Sequence, residues 1–435
     1  MYLHFNGGRT MIIKRDRYLK MLTDFAWDGQ VKVITGIRRC GKSFLLNTIY
    51  KNHLIENGTD PENIITVALD LARDIKYRNP LLLAEYVHEK VDGKDGRFYL
   101  FIDEVQMSDE IPNPYNPDGK KITFYDTLND LRSIPDLDVY VTGSNSKMLS
   151  SDILTEFRGR SDEIRVHPLS FSEYYSAVGG DKTEAFENYA FFGGLPLVLS
   201  RPNDTARMNY LKSLFTEVYF KDIIERKKIA RTDVLEATMD LLCSSVGSLT
   251  NPANIANAVN SAQKNQDKVA PNTVRAYIEH LDDAFLFHEC KRYDVKGKAY
   301  FEYPNKYYCE DIGLRNARIG FRQQEMTHIT ENIIYNELII RGFSVDVGVV
   351  YSNEKGKRIA REIDFIAAAG SKKYYIQSAY AITTEEKRIS ETKPFSLTGN
   401  SFPKIIVRGD VHKKWYDDNG YLNIGILEFL LGEWE

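Results

Sequence analysis

Eight consecutive residues, Gly36, Ile37, Arg38, Arg39, Cys40, Gly41, Lys42 and Ser43, follow the spacing G-x-x-x-x-G-K-S. Glycines at the two ends let a backbone approach an anion, the lysine brings a positive charge to the β- and γ-phosphates of a nucleotide, and the serine hydroxyl is a ligand for Mg²⁺. This chemistry requires a loop between a strand and a helix, because only there do backbone N–H groups and a helix N-terminus surround phosphate. Residues 31–35 read as the strand, and Phe44 to Tyr50 continue as the helix. A second group stands at Asp103 and Glu104, after the apolar run Tyr99-Leu100-Phe101-Ile102. Such a run is a buried strand, and ligands of open parallel sheets bind at the carboxyl ends of strands. Asp103 is expected to hold Mg²⁺, through water, and Glu104 to orient and deprotonate an attacking water. Alone, an Asp-Glu pair after a strand would read as a cap for the next helix. Beside a phosphate loop, the catalytic reading prevails.

These residues need a sheet to position them. Between 11 and 166 short β-branched or aromatic runs alternate with helical stretches, as a parallel α/β sheet requires. The runs lie at 31–35, 64–69, 99–102 and 139–142, with a helix expected at 81–91. Each crossover is long enough for a right-handed βαβ unit. Downstream, 170–231 turns helical around the break Gly193-Gly194-Leu195-Pro196 and suits a small lid. From 233 to 316 helices are followed by a strand pair: Asn251-Pro252 starts one helix, Asn272 caps another, and Val295-Lys296-Gly297-Lys298 turns a hairpin. That order predicts a winged helix-turn-helix, whose Asn272, Thr273, Arg275 and Glu279 would face a DNA groove and whose Lys296 and Lys298 would reach phosphate. Glu279, Asp282 and Asp283 make the far end of that helix acidic, which equally suits a protein or interdomain contact. The last segment predicts a helix at 331–341 and strands at 344–351, 362–367 and 374–379. The expected domains are thus 11–169, 170–232, 233–316 and 317–435.

Composition narrows the class of protein. The 435 residues exceed one ordinary core, and 57 Lys plus Arg against 61 Asp plus Glu give a net charge of -4, with no global basic field for nucleic acid. Cys40, Cys243, Cys290 and Cys309 show neither disulfide-framework nor zinc spacing, which points to a reducing compartment. With no apolar run long enough for a membrane and no signal-peptide core in the first ten residues, a cytoplasmic protein is expected. That first decapeptide reads poorly as structure, and Met11 is a candidate start. His88-Glu89 and His288-Glu289 both lack the second histidine that a zinc protease would need.

Taken in order along the chain, the motifs resemble AAA+ ATPases, and within them a prokaryotic family related to the STAND group. The matching residues are the Arg15/Tyr18 segment, 34–43, Phe101-Ile102-Asp103-Glu104-Val105-Gln106, Val141-Thr142-Gly143-Ser144, Gly159-Arg160, Pro168-Leu169-Ser170-Phe171 and Gly193-Gly194-Leu195-Pro196. The resemblance implies ATP and Mg²⁺ as ligands and ATP hydrolysis as the reaction. It implies that Ser144 senses the γ-phosphate, and that Gly194 and Pro196 belong to an element packing near the adenine, with Arg15 and Tyr18 on its other side. Arg160, in competition with Arg158, would be an arginine finger reaching a neighbouring subunit of a homo-oligomer.

The tail resembles the C-terminal domain that commonly accompanies this family, itself similar to PD-(D/E)XK nucleases and hence a restriction-endonuclease-like α/β fold. It does so through Glu331-Asn332-Ile333-Ile334-Tyr335-Asn336-Glu337-Leu338, Arg341-Gly342-Phe343, Glu362-Ile363-Asp364-Phe365 and Tyr375-Ile376-Gln377-Ser378. An active nuclease of this type needs a helix carboxylate, an Asp, and Glu-x-Lys on the next strand. Glu331 and Asp364 match the first two, but Gln377 and Ala379 stand where the second acid and the lysine belong. The expected fate is a retained fold used for binding or assembly, with DNA or a protein as the possible client of the whole chain and Lys372 and Lys373 as the nearest lysines that could substitute.

Overall fold

The computed structural model describes residues 2–4, 10–143, 161–262, 268–323, 325–354 and 356–434. Ser144, Arg158 and Arg160 therefore lie outside the described residues. The chain divides into two compact units, one of residues 1–168 with 283–285, the other of residues 169–282 with 286–435.

In the first unit a five-stranded sheet runs in the spatial order Ile64–Ala68, Phe98–Asp103, Leu137–Thr142, Val31–Thr35, Ser161–Arg165. Every neighbouring pair is parallel. Three of these strands are buried along their whole length, which is why they read as nearly unbroken apolar runs rather than alternating ones. Val33, Leu100, Ile102, Val139 and Val141 form one core with Leu83, Val87 and Leu128 of the covering helices. The helix Pro80–Val91 begins where expected, because Asn79 accepts hydrogen bonds from the N–H groups of Leu81 and Leu82 and Pro80 fills the first turn. Strand Ser161–Arg165 has no counterpart in the sequence reading: it is an edge strand whose S-D-E-I-R sequence buries only Ile164. Residues Tyr2–His4 pair antiparallel with Thr10–Ile12, a pairing that the sequence reading of the first decapeptide did not include. Lys32, fully buried in mid-sheet, is held by Asp28 at 2.6 Å and Asp138 at 2.7 Å, so its charge is paired.

The second unit opens with helices Phe171–Val178, capped reciprocally by Ser170 and Glu173, and Lys182–Phe192, capped by Asp181. A helix over 204–227 and Thr232–Ser244, Pro252–Ala262 and Pro271–Asp283 follow. Val274, Tyr277, Ile278 and Leu281 form the buried face of the last, as their spacing requires. Strand Phe287–Cys290 pairs antiparallel with Lys306–Cys309. Arg292–Asp294 pairs with Ala299–Tyr300 around the 295–298 turn, but it also pairs parallel with Ser344–Glu354. The hairpin is thereby one end of an eight-stranded sheet that continues through Lys357–Ala369, Lys372–Ala379, Lys404–Arg408 and Leu422–Gly425 to Trp415–Tyr416. Helix Met326–Ile340 starts five residues before the expected 331–341. No helix among the described residues is long and apolar enough to cross a membrane.

Candidate active site

The loop over 36–41, the candidate phosphate site, joins Val31–Thr35 to a helix over 42–56. Its conformation follows from its glycines. Gly36 has φ +134°, and a Cβ there would meet the carbonyl oxygen of Val166 at 2.1 Å, so no side chain fits. Gly41 has φ +105° immediately before the helix, and Arg39, with φ 67°, is a second left-handed residue in the same loop. Alternation of left- and right-handed backbone turns successive N–H groups toward one concavity, the geometry that binds anions. Ile37 and Cys40 are buried and anchor the loop from beneath, the Cys40 thiol lying 3.2 Å from the carbonyl of Val166, so these two offer only backbone to a ligand. Arg39 is exposed, and Arg38 and Phe44 are partly so.

Lys42 is buried, and its ammonium donates to the carbonyls of Gly36 at 2.9 Å and Ile37 at 3.1 Å. It therefore lies across the loop that it would help to charge. The Ser43 hydroxyl donates to Asp103 Oδ1 at 3.1 Å, joining the helix start to the carboxyl end of Phe98–Asp103, the next strand but one from Val31–Thr35. The hydroxyl and the carboxylate predicted to share Mg²⁺ are thus side by side, and an oxygen-only donor pair suits that hard cation. The Thr142 hydroxyl also donates to Asp103 Oδ1 and accepts from the Glu104 N–H at 3.2 Å. Glu104 itself sits at φ 54°, ψ 52°, a left-handed conformation that a non-glycine residue adopts only where its surroundings hold it. Its carboxylate accepts a hydrogen bond from the Gln106 amide. Thr142 stands in the sequence reading only as part of the match Val141-Thr142-Gly143-Ser144, whose role is placed two residues further on at Ser144. The available signal was a hydroxyl residue ending the strand adjacent to that of Asp103.

Arg15 and Tyr18, from the helix start at Asp16–Asp24, are both buried. The Arg15 guanidinium stacks 4.6 Å over the Tyr18 ring and donates to the His167 carbonyl at 2.6 Å, while the Tyr18 hydroxyl accepts from the His167 N–H at 3.1 Å. They form one wall of the first unit. Gly194 and Pro196 belong to the second unit, where the Gly194 N–H donates to Asp311 at 2.7 Å and a Cβ on Gly194 would meet the Leu169 carbonyl at 2.3 Å. Asp311 also caps the helix Ile312–Arg318 through the Leu314 N–H, and burial pushes its carboxyl up to about 6.

The second unit holds a second cluster. Glu331 and Asp364 lie around one lysine, and neither Lys372 nor Lys373 joins them. The lysine that does is Lys306, whose ammonium lies 2.8 Å from Glu331, 2.6 Å from Glu362 and 3.4 Å from Asp364. It comes from strand Lys306–Cys309, some 70 residues before the position where a nuclease pattern would seek it. Glu362 and Asp364, two apart on one strand, face the same side. Tyr308 donates to Glu331 at 2.6 Å and the Ser378 N–H to Asp364 at 2.9 Å, while Gln377 turns its amide to Glu391 at 3.0 Å. Arg275, a candidate DNA reader, is engaged by Tyr303 at 2.7 Å and Glu302 at 3.0 Å.

Comparison with known proteins adds the following. Residues 28–175 match the family described as AAA domain, and residues 183–325 match one described as a domain of unknown function, DUF8612. An uncharacterized protein of Haemophilus influenzae is 30% identical over 425 residues, covering 97% of this chain and 99% of its own length. An uncharacterized protein of Methanocaldococcus jannaschii is 25% identical over 401 residues, covering 88% of this chain and 81% of its own. Among solved structures, the Walker-type ATPase of Pyrococcus abyssi is similar at 15% identity and a TM-score of 0.49, over 71% of this chain and 96% of that one.

Proposed function

We propose, from the premise that the chain belongs to one family with the Haemophilus influenzae protein and carries an AAA domain over residues 28–175, that it binds ATP in the loop from Gly36 to Ser43 and hydrolyses it. The observation that carries this reading is the apposition of Ser43, Asp103, Thr142 and Glu104 at the carboxyl ends of adjacent parallel strands. Lys42 exchanges its two loop carbonyls for the β- and γ-phosphate oxygens, and the loop N–H groups take the remaining phosphate charge. Ser43 and Asp103 hold Mg²⁺, which when bound supplies charge compensation to the phosphates. Glu104 orients a water for in-line attack and accepts its proton, while one Thr142 hydroxyl holds the Asp103 carboxylate and the Glu104 backbone. Ser144 as γ-phosphate sensor, Arg160 or Arg158 as arginine finger, and Arg15, Tyr18, Gly194 and Pro196 as adenine-side residues complete the assignment on the strength of the family resemblance.

Nucleotide state is then coupled to the lid at 170–232, the winged helix at 233–316 and the tail from 317, with DNA or a protein as client. The tail serves binding or assembly and does not cut DNA. Isothermal titration with ATP tests the binding site: one ATP per chain, strengthened by Mg²⁺, is expected, and no binding refutes the reading. A second reading, a nucleotide switch with little turnover, is favoured by the hydrogen bond from Gln106 that occupies the Glu104 carboxylate. Steady-state phosphate release with and without duplex DNA separates the two, since a switch binds ATP but releases almost no phosphate under either condition.

A further inference from the structure

We infer that Lys306 is the resident cation of the Glu331, Glu362 and Asp364 cluster, a tethered ammonium standing where a divalent ion would otherwise be held. The cluster consequently needs no metal, and removing the Lys306 side chain uncovers a divalent-cation site. The inference concerns the second unit and does not depend on the ATPase reading.

Geometry carries it. Three carboxylates from two elements, helix Met326–Ile340 and strand Lys357–Ala369, converge on the one Nζ atom at 2.8, 2.6 and 3.4 Å. Lys306 is only 4% exposed, so water screens its ammonium little, and its three N–H donors face three carboxylate partners. Glu331 Oε1 also accepts from the Tyr308 hydroxyl and Asp364 Oδ2 accepts from the Ser378 N–H, which helps to fix both carboxylates. Oxygen ligands hold a small divalent ion such as Mg²⁺ at about 2.0–2.1 Å, so three carboxylates spaced for an ammonium must close in by about 0.5–1.3 Å to grip a metal, Asp364 the most. The two glutamates are long enough to follow the ion toward Asp364. Among the described residues no group of His, Cys, Asp and Glu is already arranged to hold a metal ion, which is what an ammonium-spaced cluster should give.

Charge agrees with geometry. Burial opposes the Lys306 charge, but Glu331, Asp364 and Glu362 outweigh it and keep the ammonium protonated well above the ordinary lysine range. Burial likewise raises the Asp364 carboxyl, against the pull of Lys306.

The test uses the full chain without nucleotide, titrating Mn²⁺ against wild type, Asp364→Asn, Lys306→Ala and Lys306→Ala/Asp364→Asn, with free Mn²⁺ read by electron paramagnetic resonance and Tm recorded in parallel. Wild type and Asp364→Asn should give the same Mn²⁺ isotherm. Lys306→Ala should gain one site, lose it again in the double variant, and show a Tm that rises with Mn²⁺ where the wild-type Tm does not. A wild-type site abolished by Asp364→Asn would overturn the inference, as would a folded Lys306→Ala that gains no site. Should Lys306→Ala fail to fold without metal, Lys306→Ala/Glu331→Gln/Asp364→Asn, relieved of its surplus negative charge, is expected to fold. If that variant also stays unfolded, Lys306 acts through packing and the inference falls.

Discussion

Thr142→Val removes a single oxygen from the centre of the candidate active site. The substitution keeps the β-branched shape in a strand that is buried throughout, and Thr142 itself is fully buried, so neither packing nor strand propensity should change much. Two hydrogen bonds are lost: the one that Asp103 accepts and the one that the Glu104 N–H donates at 3.2 Å. A hydrogen bond to a charged group contributes about 1.5–3 kcal/mol, and an amide left without its acceptor costs about 1–3 kcal/mol. Ser43 still serves Asp103, and Glu104 is only partly buried, so water recovers part of each loss. About 2 kcal/mol is therefore expected from stability in urea unfolding. Because Glu104 holds a left-handed backbone with this support, its carboxylate should also lose its aim, lowering kcat by about tenfold while KM for ATP changes little. A variant within about 0.5 kcal/mol of wild type and with an unaltered kcat would show that the hydroxyl positions neither carboxylate.

Lys42→Ala should abolish tight ATP binding in calorimetry, since it removes the loop's own cation; unchanged affinity would displace the site. Asp311 is raised from 3.8 to about 6 in the folded chain, so it contributes stability that is complete below about pH 4 and lost as pH rises through 6, at most about 3 kcal/mol. Wild type should accordingly lose Tm relative to Asp311→Asn between pH 4 and 7, and parallel curves would refute the shift. Supercoiled, linear and single-stranded DNA should survive incubation with the protein in Mg²⁺ or Mn²⁺, with and without ATP; nicking that disappears in Asp364→Ala would make the tail a nuclease.

Much of the first unit was legible because the chemistry and the fold share one signal. A phosphate loop must sit between strand and helix, and the strand before Asp103 had to be apolar on both faces. Strand Ser161–Arg165 was not legible, because an edge strand need bury little and its sequence is polar. The role of Thr142, though the residue stood in a matched motif, was not legible for another reason: a hydroxyl at a strand end has no assigned partner until its neighbour across the sheet is known. In the second unit the helix and strand periods located Pro271–Asp283, Met326–Ile340 and Lys372–Ala379, whereas pairing between distant strands did not show in the sequence. The parallel ladder of Arg292–Asp294 with Ser344–Glu354 merges segments that had been read as separate domains. Lys306 was missed in the same way, since a nuclease pattern looks for its lysine beside Gln377, and only the fold brings strand Lys306–Cys309 to Glu331.

The most direct measurement is Mg²⁺-dependent phosphate release by wild type and Glu104→Gln, with ATP affinity determined on the same samples. The amide keeps the size of the carboxylate but cannot take a proton from water, while Ser43, Asp103 and Lys42 remain to bind nucleotide. Wild type should turn over ATP, and Glu104→Gln should bind ATP within a few-fold of wild type yet release phosphate at least about tenfold more slowly. Equal rates in the two proteins, or a wild type that binds no ATP, would contradict the assignment.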